Sequence, residues 1–224
     1  MRYGKTVKGT FLNRPNRFIA EVLIDGSEEK CHVKNTGRCK EILIPGTEVI
    51  LSVSDNPSRS TRYDLIAAYK NGRLINIDSQ APNIAVKESF SRICSYDRLV
   101  PEYTFGDSRF DFYAERDGRP IYAEVKGVTK ENDNVVCFPD APTERGLKHV
   151  RELTELAIEG NECYIVLVVQ MENVKYFTPD YIVHCEFGIA LQKASDAGVH
   201  VLAFDCKVTK DSMVLNDPVK IIFS

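Results

Sequence analysis

Apolar and polar residues alternate through much of the first third of the chain, which predicts strands rather than helices. Stretches that favour turns separate these segments, among them Asp25-Gly26 and Asn71-Gly72. Residues 38–43 could form one short helix, which Pro45-Gly46 would end. The strands are predicted at residues 3–12, 18–24, 30–33, 47–53, 62–69 and 74–77. Five or six strands with one short helix are typical of a small OB-like barrel.

From residue 81 onward, helical and strand patterns follow one another. Apolar stripes with a helical period run through residues 84–94 and 144–159, and Thr143 is a good N-cap for the second. Residues 164–169 are almost continuously apolar, as in a buried central strand. A further helix is predicted at 186–197, and strands at 103–105, 199–204 and 219–223. This order predicts an α/β domain at residues 81–224, joined to an all-β domain at residues 1–80.

Asp117-Gly118 is the strongest hairpin signal in the chain, because a type I′ turn requires positive φ and these residues tolerate it. A two-residue loop fixes the register, and Asp111 then lies directly opposite Glu124. Two groups of side chains follow from this register. One face carries Arg109, Asp111, Tyr113, Tyr122, Glu124 and Lys126. The other is a core face with Phe110, Phe112, Ala114, Ile121, Ala123 and Val125.

Two directly opposed carboxylates repel each other, which points to a cation between Asp111 and Glu124. Mg²⁺ favours oxygen ligands and is usually held by one or two carboxylates together with substrate phosphate. Lys126, on the same face, could then orient a water or neutralise charge that develops on the phosphate. The alternative is a solvated sheet face on which these charged groups alternate as salt bridges.

Charge is divided unevenly between the two predicted domains. Residues 1–80 hold 13 Lys and Arg against 9 Asp and Glu, a net of +4, whereas residues 81–224 have a net of −7. A basic module beside an acidic one suits nucleic-acid binding by the first and metal binding by the second. In the barrel, the candidate contacts to nucleic acid are Arg14, Arg17, Lys34, Arg38 and Lys40, with Phe11 and Phe18 nearby.

Each of these barrel candidates has a simpler interpretation. Strand aromatics such as Phe11 and Phe18 are more often core residues than stacking platforms, and the basic residues could lie on a solvated loop. Asn35-Thr36-Gly37 could form a tight loop whose amides cradle a phosphate, but a plain turn is at least as plausible.

The remaining composition excludes several classes of protein. Seven Cys occur without a CxxC motif, which favours free thiols in a reducing compartment and therefore a cytoplasmic protein. Cys31, His32 and Cys39 lack a fourth zinc ligand at a recognised spacing. No apolar run approaches the roughly 20 residues of a membrane span, so no membrane association is predicted. Residues 1–10 contain no apolar core of a secretory signal.

Several stretches resemble the sugar fermentation stimulation protein A (SfsA) family, in order along nearly the whole chain. They are Arg14-Pro15-Asn16-Arg17-Phe18, Asn35-Thr36-Gly37, Ser108-Arg109-Phe110-Asp111-Phe112, Glu124-Val125-Lys126-Gly127-Val128-Thr129 and FPDAPTERGLKHVREL at 138–153. The last is the most specific. An Asp followed twelve residues later by Glu-x-Lys also resembles the core of the PD-(D/E)xK nuclease superfamily.

The resemblance implies an OB-like barrel joined to a restriction-endonuclease-like α/β domain, with DNA binding as the activity. It implies that Asp111, Glu124 and Lys126 form the nuclease triad, and that Glu88 is an additional candidate ligand for Mg²⁺ or Mn²⁺. Arg109, Arg145, Lys148 and His149 are candidates for contacts to the backbone phosphates near this triad.

Three functions therefore stay open at the level of sequence. The first is a metal-dependent nuclease acting on DNA or RNA, single- or double-stranded, in a protein that could also form oligomers. The second is a DNA-binding regulator of sugar metabolism without catalysis. The third is a glycoside hydrolase that uses the same carboxylate pair, although the chain contains no Trp to stack on a sugar.

Overall fold

The alternating segments of the first 80 residues form a closed barrel in the computed structural model, which describes residues 1–35 and 37–223. Its strands are β1 (Thr6–Asn16), β2 (Ile19–Ile24), β3 (Ser27–Val33), β4 (Glu48–Val53), β5 (Tyr63–Lys70) and β6 (Arg73–Asn76). Parallel pairing of β3 with β5 closes the five-stranded circuit β1-β2-β3-β5-β4, and β6 extends it from β5. The six predicted strands and the OB topology are thus confirmed.

The short helix predicted at residues 38–43 is wrong. That segment contains only one closed turn, in which the amides of Ile42 and Leu43 both donate to the carbonyl of Cys39, at 3.1 and 2.8 Å. Cys39 has a φ of +46°, which is outside the helical region. Ile42 and Leu43 are buried in the core, so burial of this segment replaces helix formation.

The second unit is a six-stranded mixed sheet of order β15-β14-β12-β9-β8-β7 with helices on both faces. Its strands are β7 (Arg98–Phe105), β8 (Ser108–Arg116), β9 (Arg119–Val128), β12 (Glu162–Val169), β14 (His200–Val208) and β15 (Met213–Pro218). Its helices are α1 (Ala81–Glu88), α2 (Glu144–Ile158) and α3 (Tyr181–Asp196). Helices α2 and α3 share one apolar cluster with the barrel, whereas α1 belongs to the cluster on the opposite face of the sheet.

Three short strands that the sequence pattern did not reveal form a separate sheet, and they are β10 (Lys130–Asn132), β11 (Val135–Phe138) and β13 (Tyr176–Pro179). The strand predicted at residues 219–223 is wrong, since the last strand is β15. In β15, the buried Met213 and Leu215 alternate with more exposed neighbours. Residue Ile221 makes only an isolated bridge to Phe177, and the apolar side chains around it cover the core from outside the sheet.

The barrel is attached at the carboxyl end of β12. The backbone of Asn76 donates to the carbonyl of Gln170 at 2.9 Å, and the buried Gln170 amide donates back to the Asn76 side chain at 2.9 Å. Lys70 and Arg73 of the barrel both pair with Glu131 of the α/β unit. Because β9 runs parallel to β12, its carboxyl end also lies towards the barrel. Within the described residues, no helix has the length and apolar character needed to cross a bilayer.

Candidate metal centre and nucleic-acid interface

The β8–β9 hairpin has the register that its turn predicts. Asp117 and Gly118 have φ values of +50° and +72°, and Tyr113 pairs with Tyr122. The ladder between these strands ends one step before Asp111 and Glu124, at the Phe112–Ala123 pair. Strand β9 continues along β12 beyond this point. Asp111 and Glu124 therefore lie at a notch where β8 separates from β9.

Asp111 fills this notch with its own side chain. One carboxylate oxygen accepts a hydrogen bond from the backbone amide of Val125 at 2.8 Å. In a regular ladder, a backbone carbonyl of the neighbouring strand would accept that bond. The other oxygen accepts the side-chain amide of Asn83, on α1, at 2.8 Å. On the far side of β8, Glu102 adopts a φ of +54°, a conformation that non-glycine residues seldom take. The three strands are thus locally distorted around this carboxylate.

The distortion overturns part of the predicted face assignment. Phe110 does not share a face with Phe112, because it packs 5.8 Å from the Tyr122 ring in the cluster on the α2 side. Arg109 does not face Lys126 either. It is exposed, and its guanidinium lies 3.7 Å from the carboxylate of Glu102 on β7.

Glu124 is buried, with 3% of its surface exposed. Its Oε1 atom accepts hydrogen bonds from the Lys126 ammonium and from Nδ1 of His149, the latter at 2.5 Å. Its Oε2 atom is also buried but has no partner among the described residues. An unpartnered buried carboxylate oxygen is costly unless an ordered water or a bound cation satisfies it, and the nearby Asp111 carboxylate favours the cation here.

The two carboxyl groups have opposite electrostatic environments. Burial raises the pKa of Glu124, but the His149 hydrogen bond and the Lys126 charge outweigh it, so this pKa lies below its usual range. Burial and the Glu124 charge raise the pKa of Asp111, despite its hydrogen bonds to Val125 and Asn83. Glu124 is thus stabilised as an anion, whereas the Lys126 charge compensates ionised Asp111 only in part, and a metal ion would supply the rest.

Glu88 does not join this pair. Its carboxylate lies 2.5 Å from the N-terminal amine of Met1, and Asn83 is the α1 residue that contacts Asp111. Among residues 1–35 and 37–223, no group of three or more His, Cys, Asp and Glu side chains is arranged to hold a metal ion. A metal bound by Asp111 and Glu124 would therefore need water, backbone or substrate oxygens to complete its coordination, as Mg²⁺ commonly does.

Three of the residues predicted to contact phosphates, Arg145, Lys148 and His149, lie on helix α2, and they differ in exposure. Arg145 and Lys148 are exposed, and the Lys148 ammonium lies 3.5 Å from Glu152. His149 is buried instead, with 4% exposed, against Glu124. The sequence did contain a signal for this, because His149 precedes Leu153 and Leu156 by four and seven residues and so continues the apolar stripe.

A groove of about 690 Å³ lies between the barrel and the loop before α2. It is lined by Phe11, Asn13, Arg14, Asn16, Arg17, Gly37, Arg38, Lys40, Leu43, Pro45, Ala141 and Pro142. None of these described lining residues is acidic, and Arg17, Arg38 and Lys40 are exposed. Phe11 is a core residue, whereas Phe18, which follows Arg17 in the chain but does not line the groove, is 52% exposed. The groove therefore presents positive charge, and an exposed aromatic residue directly follows one of its arginines in the chain.

Arg14 has a structural role that the sequence did not reveal. Its guanidinium donates to the carbonyls of Gly37, Arg38, Arg17 and Asn35, at 2.8, 3.0, 2.7 and 2.6 Å. These bonds join the β1–β2 turn to the loop that follows β3. Arg14 contributes charge to the groove, but most of its N–H groups are already engaged.

Arg14→Ala should accordingly reduce the free energy of unfolding by about 2–4 kcal/mol, because four carbonyls lose a charged donor. Arg17→Ala, three residues away and exposed, is the matched control and should change stability by about 0.5 kcal/mol or less. Urea denaturation of both variants measures the difference. Equal stabilities would contradict the structural role of Arg14.

Lys34 and Asn35 are also engaged within the protein. The Lys34 ammonium lies 3.4 Å from Asp64 and 3.5 Å from Asp78. The Asn35 amide donates to the carbonyl of Ile77 at 2.9 Å, and its side-chain oxygen accepts the Gly37 amide at 2.7 Å. The Gly37 amide is therefore not presented to a phosphate, and Thr36, the middle residue of the predicted cradle, lies outside the described residues.

Comparison with known proteins agrees with this architecture. Residues 12–77 match the family model described as the SfsA N-terminal OB domain, and residues 80–212 match the sugar fermentation stimulation protein RE domain. A sugar fermentation stimulation protein homolog of Desulfitobacterium hafniense (strain DSM 10664 / DCB-2) is 51% identical over 219 residues, covering 97% of this chain and 96% of that protein. A homolog of Clostridium beijerinckii is 48% identical over 225 residues, covering 99% and 100%.

A solved structure shows the same fold over the whole chain. It is described as the structure of Pyrococcus furiosus SfsA in complex with Ca²⁺, and it matches with a TM-score of 0.87 at 26% identity, covering 99% of this chain and 98% of that one. The OB barrel, the α/β unit and the two family models together give one conclusion. The chain belongs to the sugar fermentation stimulation protein family.

Proposed function

We propose that this protein binds nucleic acid and hydrolyses its phosphodiester bonds at a divalent-metal centre formed by Asp111 and Glu124. The observation that carries the proposal is the unpartnered Oε2 atom of the buried Glu124, at the notch that Asp111 fills. Both groups offer oxygen ligands, which hard cations such as Mg²⁺ and Mn²⁺ prefer.

The donor set fits a metal ion of this kind. Two carboxylates in a half-buried notch, one of them with its pKa raised by burial and by the other's charge, are stabilised when a cation binds. The Ca²⁺ named for the Pyrococcus furiosus protein is also a hard cation that takes oxygen ligands. When bound, such an ion polarises the phosphate and lowers the pKa of a coordinated water.

The chain's own residues have distinct roles in this proposal. Asp111 and Glu124 bind the metal, and Asn83 holds the Asp111 carboxylate in place. Lys126 lies two residues beyond Glu124 with 13% of its side chain exposed. Its ammonium has three donors on a flexible stem, so it can turn from Glu124 to the phosphate and stabilise the charge that develops there.

The basic groove is the part of the protein best suited to hold the nucleic acid. Arg17, Arg38 and Lys40 provide exposed positive charge. Phe18, next to Arg17 in the chain, has an exposed ring on which a base can stack. The groove reaches Ala141 and Pro142, directly before α2, which carries His149 to the metal centre. The interface and the metal centre are thus connected through the start of α2.

The test is incubation of the wild type with labelled single- and double-stranded DNA and RNA, with and without Mn²⁺, beside Asp111→Asn. We expect cleavage of at least one substrate that requires the metal and is lost in the variant. Binding of nucleic acid without cleavage of any substrate would contradict the enzyme and favour a DNA-binding regulator.

Nucleic-acid affinity should depend on the basic groove. The double variant Arg17→Glu, Arg38→Glu should weaken binding of all sequences alike and reduce the slope of log K against log[salt], since each phosphate contact releases about one counterion. Fluorescence anisotropy at several salt concentrations measures both quantities. The experiment is done without divalent metal so that cleavage does not interfere.

Arg119→Glu is the control for charge reversal. Arg119 is exposed at the start of β9, next to the hairpin turn and at the opposite end of that strand from Lys126. Its reversal should leave the affinity nearly unchanged. If the groove variant and the control lose affinity equally, the groove is not the binding surface.

A further inference from the structure

Glu124 receives both of its hydrogen bonds on one oxygen. Lys126 and His149 donate to Oε1, and Oε2 is left without a partner among the described residues. An ionised carboxylate only accepts hydrogen bonds, so Nδ1 of His149 carries the proton in this contact. The two donors thus fix the orientation of the carboxylate while one of its oxygens remains available.

These two donors differ in how firmly they are held. His149 is 4% exposed, and its ring packs edge-on to Phe110 with centroids 5.9 Å apart. It lies in the second turn of α2, which Thr143 caps by accepting the Gly146 amide at 3.1 Å. Lys126 reaches Glu124 through a flexible four-carbon stem instead.

We propose that His149 is a positioning residue, which holds Oε1 of Glu124 so that Oε2 stays directed to the metal when Lys126 turns to the phosphate. This role rests on the proposed function. A carboxylate held by Lys126 alone would be free to rotate once the lysine left it. The fixed imidazole keeps the ligand in place in both states.

Substitution of His149 should therefore act on metal binding. Hydrogen-bond partners that orient metal ligands typically affect metal affinity by 10–100-fold, so His149→Ala should weaken Mn²⁺ binding by about that factor. His149→Asn places an amide N–H near the position of Nδ1 and should restore most of the affinity. His149→Gln places its amide one carbon further out and should not.

Isothermal titration calorimetry with Mn²⁺ on the full-length protein gives these affinities, independently of catalysis. The control is His200→Ala, since His200 is exposed and stacks on Tyr164 at the opposite end of β12 from the barrel. Circular dichroism in EDTA checks that each variant is folded. If the Ala variant does not fold, the comparison of the Asn and Gln variants still decides the role.

Three outcomes are distinguishable. Weak binding in the Gln variant and near wild-type binding in the Asn variant supports the positioning role. Equal Mn²⁺ affinity in folded Asn, Gln and wild-type proteins overturns it while the metal centre stands. Absence of Mn²⁺ binding to the wild type overturns the proposed metal centre, and the positioning role with it.

Discussion

Lys126→Ala is expected to lower the rate of phosphodiester cleavage by roughly 10²–10³, the usual effect of removing one preorganised group that stabilises transition-state charge. Binding of Mn²⁺ should persist, because Asp111 and Glu124 remain and His149 still holds Oε1. Affinity for nucleic acid should fall only slightly, since one phosphate contact is lost among several. Single-turnover cleavage and Mn²⁺ calorimetry on the same preparation separate the two effects.

Two further substitutions sharpen this result. Lys126→Arg should restore little activity, because a planar guanidinium replaces a compact charge that has to turn within a narrow notch. Lys207→Ala removes an exposed lysine from β14, two strands away in the same sheet, and should leave the rate unchanged. Cleavage by Lys126→Ala within about threefold of the wild type would remove Lys126 from the reaction.

Asp111→Asn is expected to have opposite effects with and without metal. In EDTA at pH 7 the variant should be more stable than the wild type by about 1 kcal/mol, or ~2–4 °C in Tm for a chain of this size, because it removes a negative charge that the Glu124 charge disfavours. The new side-chain oxygen can still accept the Val125 amide, and the Asn83 amide can turn so that its oxygen accepts the new N–H group. With Mn²⁺ at ~100 times its Kd, the wild type should gain about 2.7 kcal/mol and the variant nearly nothing. The order of stabilities should therefore reverse.

The metal-free effect should depend on pH in a definite direction. The pKa of Asp111 is raised in the folded state by burial and by the charge of Glu124. Its contribution to stability is therefore fully present below the pKa of the unfolded chain and is lost as the pH rises through the higher, folded pKa. The difference in Tm between Asp111→Asn and wild type in EDTA should be small near pH 4 and grow towards pH 7.

Both proteins share every other titrating group, so the difference between their melting curves reports Asp111 together with its coupling to Glu124. A variant that is less stable than the wild type in EDTA at pH 7 would show that Asp111 stabilises the fold without a metal. Equal stabilisation of both proteins by Mn²⁺ would place the metal elsewhere.

The register of the central hairpin could be predicted because it depends on local chemistry. Asp117 and Gly118 accept positive φ, and a two-residue turn leaves one pairing for every residue behind it. The barrel strands were predictable for a similar reason, since alternation with a period of two reports directly on burial in a closed sheet.

The notch itself could not be read from that register. Cross-strand pairing predicts direct opposition of Asp111 and Glu124, but the ladder ends just before them and the Asp111 side chain takes the Val125 amide. Two residues outside the hairpin accompany this arrangement: Asn83 of α1 donates to Asp111, and Glu102 of β7 has a positive φ. On the register alone, Glu124→Gln would be expected to be neutral or stabilising in metal-free buffer. In the structure Glu124 is paired with Lys126 and His149, so a substitution that stabilises the metal-free protein is expected at Asp111 instead.

Basic residues were the least predictable part of the site. Arg14, Arg17 and His149 all suit a phosphate contact by residue type, yet only Arg17 is exposed and free of bonds among the described side chains. Arg14 is held by four carbonyls and His149 by a buried carboxylate. Residue type does not distinguish a cation that binds an external anion from one that satisfies the protein's own acceptors.

The central claim, that Asp111 and Glu124 hold a divalent metal at the reacting phosphate, is tested most directly by a crystal structure with Mn²⁺ and a phosphorothioate oligonucleotide. Anomalous density should lie about 2.0–2.6 Å from an Asp111 oxygen and from Oε2 of Glu124, the range of Mg²⁺ and Ca²⁺ bonds to oxygen. The Lys126 ammonium should have moved to a phosphate oxygen, with His149 still on Oε1. Metal density away from this pair, or nucleic acid bound with the pair empty, would contradict the account.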